Sequence, residues 1–218
     1  MVFASGKTNN KSGKNARDAT VYIVRIAFMA AMLTAFKFAL SFIPNVEVVT
    51  LMICVYGSAM GIAYALPATL VFCTVEIAIY GVGSWVLLYY VYWTLLAVVS
   101  SLFLKGGRAP LAIAIGVVGS VAFGVLSACC DTLFCVASLA PARLGDYLIA
   151  YYIRGLYFDV VHTISNAVIL SVLYVPLVTV TKRVAPTLYA RARFKKAMRP
   201  YLMTEYARES FADEEKEV

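Results

Sequence analysis

The chain has 218 residues, 62% hydrophobic and only 14% charged, with a mean hydropathy of +0.81. Soluble domains carry about 25% charged residues, so an ordinary soluble domain is excluded. The net charge of +7 does not point to nucleic acid, because the basic residues lie almost entirely outside the apolar segments.

A membrane-spanning helix needs about 20 apolar residues, and six apolar segments fill residues 21–181. The first covers 21–43 and stops at Pro44-Asn45; the second covers 46–62. The third runs over 63–80, with Pro67 in its first turn, where a missing N–H costs little. Gly81-Val82-Gly83-Ser84 is a turn. The fourth covers 85–104 and closes at Lys105-Gly106-Gly107-Arg108. The fifth (110–139) and sixth (146–181) exceed a hydrocarbon core of about 30 Å and must tilt or project beyond it.

Lys7, Lys11, Lys14 and Arg17 precede the first segment. Lys182, Arg183, Arg191, Arg193, Lys195, Lys196 and Arg199 follow the last, and Lys105 and Arg108 lie in one connection. This positive-inside bias places both termini in the cytoplasm. The expected fold is an all-α membrane protein, a compact bundle of six transmembrane helices. Residues 1–19 read as a disordered cytoplasmic leader and 20–182 as the membrane domain. Residues 183–218 read as a cytoplasmic tail, basic and then acidic at Asp213-Glu214-Glu215-Lys216-Glu217, lying near anionic headgroups. No signal-peptide cleavage site ends the first segment. Cys54, Cys73, Cys129, Cys130 and Cys135 lie in apolar runs without metal spacing and read as free thiols.

An ionisable residue inside a membrane needs a partner or a function. At about 1.5 Å rise per residue, Glu47, Glu76, Asp131 and Arg154 share one outward depth. Lys37 lies in the outer half of the first segment, close enough to snorkel. Asp159, His162 and Asn166 go deeper on one helical face, which Tyr152 and Gly155 extend outward. They read as part of a site or as a structural network. Trp85, Tyr89 and Trp93 share a face of the fourth segment, as a headgroup belt or as stacking surfaces for a planar ligand. Small residues repeat every fourth position as Ala27, Ala31 and Ala35, as Gly57 and Gly61, and from Ala112 through Gly116, Ser120 and Gly124 to Ala128. Such stripes let helix backbones approach closely. In the fifth segment this reads as packing within the bundle; in the first it equally suits docking of a second membrane protein.

Motifs for ATP binding, zinc hydrolysis or a nucleophile elbow are absent from the sequence. Active transport would therefore need an ion gradient or partner subunits, and neither cofactor nor metal is expected.

Several local patterns resemble one family. They are Ala27-Ala31-Ala35; Ile43-Pro44-Asn45-Val46-Glu47; Tyr80-Gly81-Val82-Gly83; and Phe158-Asp159-Val160-Val161-His162 with Asn166. On six segments with both ends inside, they make residues 20–182 resemble the S component of an energy-coupling factor (ECF) vitamin transporter. The resemblance implies a non-catalytic substrate-binding subunit in the bacterial cytoplasmic membrane. Its partners would be a transmembrane coupling subunit and two ATP-binding-cassette ATPases. Ala27, Ala31 and Ala35 would meet the coupling subunit. Stretches 45–47, 81–85 and 141–146 would gate the pocket, adding Asn45 and Tyr80 to the binding set. Two other readings stay open: a proton-coupled secondary transporter with Asp159 and His162 as relay, and an intramembrane enzyme using the same pair as acid and base. The lack of a long internal repeat weighs against the former.

Overall fold

The computed structural model describes residues 7–136 and 140–184, with side chains from residue 17 onward. Six α-helices follow in order: α1 (Lys7–Ala39), α2 (Val49–Met60), α3 (Ile62–Tyr80), α4 (Ser84–Phe103), α5 (Ala109–Cys135) and α6 (Leu144–Val184), the last preceded by a 3₁₀ turn at Pro141–Arg143. No strand occurs among the described residues. Five helices are long and apolar enough to cross a membrane, and α2 is shorter. Large apolar side chains such as Phe28, Val118, Ile164 and Val172 stay exposed, as suits helices whose outer faces meet lipid. The chain has the features of a multi-pass helical membrane protein.

Two units divide the described residues, 7–25 and 26–184. The first is helical from Lys7, within the stretch expected to be a disordered leader. Extending an existing helix fixes one residue per new bond, whereas nucleation fixes several. A membrane helix can therefore continue into polar sequence. The tail expected beyond 184 lies outside the described residues.

In the second unit, α2 is the central element, buried from Val49 to Ser58. Its 12 residues rise about 18 Å, against about 30 Å for a hydrocarbon core. Protein on all sides removes the need to match that thickness. It starts later than expected because 46–48 form the connection, and it ends at Gly61. That residue alone joins α2 to α3, with φ 78°, a region open to glycine at little steric cost. Since α3 starts at Ile62, Pro67 falls in its second turn rather than its first.

Helix α5 packs most extensively on α6. Its buried stripe is Ala112, Gly116, Ser120, Gly124 and Ala128. The buried stripe of α6 is His162, Asn166, Leu170, Tyr174 and Val178. Small residues thus face large ones: Gly116 receives Leu170 and Gly124 receives Asp159. Gly57 plays the same part for α2 against α4. A Cβ built there would lie 2.7 Å from Ser100 Cβ. Within the second unit α1 turns Ile26, Met29, Ala30 and Leu33 inward and leaves Ala27, Ala31 and Ala35 exposed.

Gly57→Val should lower the midpoint of thermal unfolding in detergent, by overpacking worth about 1–3 kcal/mol. An unshifted midpoint would show that α2 and α4 are not in backbone contact.

Candidate functional site

The connections 40–48 and 81–83 and the start of α6 meet at one end of the bundle, where the polar residues concentrate. Glu47 is the centre of this end. One carboxylate oxygen accepts the Thr50 N–H at 3.0 Å, closing the first turn of α2. The other accepts the Thr50 hydroxyl at 2.6 Å and Asn166 Nδ2 at 3.3 Å. His162 Nε2 lies 3.2 Å from that same oxygen; a carboxylate can only accept, so this nitrogen carries the proton. Asn166 also donates to Ser120 on α5 at 2.9 Å. Ser165 reaches the Asn45 carbonyl at 3.3 Å, and Asn45 has φ 57°, a conformation that asparagine tolerates better than most residues. These contacts tie the 40–48 connection to α2, α5 and α6.

A second polar pair joins α1 to α3. Lys37 forms an ion pair with Glu76, which is 1% exposed. Its ammonium also lies 4.6 Å from the ring centre of Tyr80 and 4.9 Å from that of Tyr89, a cation–π arrangement. The lysine read as close enough to snorkel is instead engaged by a buried carboxylate and two ring faces.

Two cavities lie at this end. The first, about 290 Å³, is lined by Lys37, Asn45, Glu47, Tyr80, Tyr89, Trp93, Phe123 and His162 with apolar neighbours. Its aromatic wall is formed by Tyr89 and Trp93, the inner members of a ladder on one face of α4 in which the ring centres of Trp85 and Tyr89 lie 5.1 Å apart and those of Tyr89 and Trp93 5.9 Å apart. Trp93 is buried within the bundle, whereas a headgroup belt needs rings on the outer surface. The second cavity, about 460 Å³, is lined by Ser127, Tyr151, Tyr152, Arg154, Gly155, Phe158 and Asp159. Pro44, Asn45 and Phe123 border both.

Compared with family models, curated proteins and solved structures, the chain matches none.

The cluster expected from depth is divided. Glu47, Tyr89, Trp93 and His162 come together with Asn45 and Tyr80, whereas Arg154 and Asp159 line the neighbouring cavity. Asn166 sits behind Glu47, and Glu76 behind Lys37. Trp85 stacks edge-on against the ladder outside the lining. Asp131 borders neither cavity. It accepts hydrogen bonds from Ser84 and Tyr147, pinning the α3–α4 turn to the end of α5 and the start of α6. Asp159 and His162 do not hydrogen-bond to each other; the histidine is committed to Glu47.

Sequence reasoning missed Lys37 as a lining residue, and missed Phe123, Ser120, Thr50, Ser84 and Tyr147. Thr50 had a readable signal, standing three residues after Glu47 at a helix start. Phe123 had none, being one apolar residue in an apolar helix. Among the described residues, no three His, Cys, Asp or Glu side chains lie close enough to hold a metal ion.

Lys37→Met should strand the Glu76 carboxylate and cost about 3–5 kcal/mol, whereas Lys37→Met with Glu76→Leu should recover most of that loss. Unfolding midpoints of the single and double variants in one detergent test this. Equal losses would show that the pair is not coupled.

Proposed function

We propose that this chain is the membrane-embedded substrate-binding subunit of an ECF importer. It captures a vitamin or related micronutrient at the outer face of the bacterial cytoplasmic membrane. Both termini lie in the cytoplasm, and the bundle passes its ligand to a transmembrane coupling subunit driven by two ATPases. One observation carries the reading: two cavities of ligand size share the 40–48 connection as a wall, at the end where the polar side chains gather. Small-molecule sites are typically about 300–1,000 Å³, largely apolar and aromatic, with a few fixed polar groups. The pinning of that connection by Glu47, His162 and Ser165 suits a cover that closes over captured ligand.

The exposed alanine face of α1 supports the partner half of the reading. Ala27, Ala31 and Ala35 lie opposite the buried Ile26–Leu33 face, and small residues allow a second helix to approach closely in lipid. The proton-relay alternative finds no support in the contacts, because Asp159 and His162 are not partners. Capture itself needs no catalytic group.

The test is mass spectrometry of small molecules released from the protein purified alone from rich medium, followed by uptake with partner subunits present. A single stoichiometric vitamin-like compound is expected. Ala31→Leu should leave its binding unchanged and abolish uptake. Normal uptake by that variant would remove the docking role. Energised uptake by the chain alone in proteoliposomes, lost with an uncoupler, would replace the whole proposal.

A further inference from the structure

The two cavities differ in how their charges are met. In the first, each charged group has a protein partner: Lys37 has Glu76, and Glu47 has His162, Asn166 and Thr50. In the second, Arg154 and Asp159 line the same space, and neither is in an ion pair among the described residues. Asp159 Oδ2 is buried without a hydrogen-bond partner there. Buried polar atoms are nearly always satisfied, and an uncompensated carboxylate at membrane depth is costly.

The neighbouring helix makes room for this carboxylate. A Cβ built at Gly124 would collide with the Asp159 carboxyl group. The small residue at that point of the α5 stripe thus admits a charged side chain where Gly116 admits the apolar Leu170. Arg154 and Asp159 are five positions apart, about 7.5 Å along the helix axis. The remaining wall includes the rings of Phe123, Tyr151, Tyr152 and Phe158, which suit both a flat ring and a cation.

We propose that the second cavity recognises an amphoteric aromatic or heteroaromatic molecule, with its anionic group at Arg154 and its protonated amine at Asp159. This deepens the capture reading and rests on it. The first cavity, whose Lys37 and Glu47 already have partners within the protein, contributes aromatic surface and not charge recognition. Asp159 acts as a ligand contact and not as one half of a proton relay.

The test uses the full chain in detergent and two measurements. The first identifies by mass spectrometry what the wild type, Arg154→Gln and Asp159→Asn retain from rich medium. The second measures equilibrium binding of L-tryptophan, tryptamine and indole-3-propionate, which share a ring system and carry both charges, the cation alone and the anion alone. A retained compound bearing both charges, reduced about tenfold or more in each variant, is expected from the loss of a charge-assisted contact. Arg154→Lys should keep much of the binding, which separates loss of charge from loss of fold. If nothing is retained, a preference of about tenfold for L-tryptophan over both analogues supports the assignment equally. A retained compound that lacks either charge, or that both variants hold undiminished, overturns the ligand class while leaving capture intact. An empty wild type that binds all three probes alike, or none of them, overturns capture and class together.

Discussion

The Glu47 carboxylate is the constraint on which this end of the molecule depends. It closes the first turn of α2 and engages His162 and Asn166 of α6; Asn166 carries the connection on to Ser120 of α5. The donors on Thr50, His162 and Asn166 are buried, so removing the acceptor would leave them unmet. The shape of the first cavity follows, because the 40–48 connection is both its wall and the segment that carries Glu47. Ser165 adds a second tether through the Asn45 carbonyl.

Packing elsewhere follows from residue size. Lipid supplies no hydrophobic drive for helices to associate, so close approach and interhelical hydrogen bonds do that work. Glycine, alanine and serine on α5 receive the larger side chains of α6, and Gly57 brings α2 onto α4. Charged groups fit the same scheme where hydrogen-bond donors, a small neighbour or a counter-ion accommodate them. Gly124 beside Asp159 is the first kind, and Lys37 beside Glu76 the second.

Much of this organisation is legible in the sequence, because the bilayer imposes long apolar runs and confines charge. The helix count, the turn at Gly81 and the packing role of the α5 stripe all follow from spacing, whereas the break at Gly61 is hidden inside an apolar run where that glycine reads as part of a small-residue repeat. The concentration of polar groups at one end follows from depth alone. Depth, however, does not fix azimuth. Glu47, Glu76, Asp131 and Arg154 share a level, but helix rotation sends them to four different surroundings: a capping network, a buried ion pair, a hydroxyl-satisfied staple and an open cavity. Phe123 is invisible for the same reason, since only the rotation of α5 sets it between the cavities. The inward turn of Lys37 depends on Glu76, 39 positions away, and no local pattern announces such a pair.

The shortness of α2 has a consequence for how the protein enters its membrane. Twelve residues are too few to partition into a bilayer as an independent span, and one glycine joins them to α3. The two helices must therefore be delivered as a hairpin, with α3 supplying the apolar length that retains both. Helix α2 thus holds its place only in company: α3 supplies the apolar length that it lacks, and α4 and α6 the protein surface that covers it.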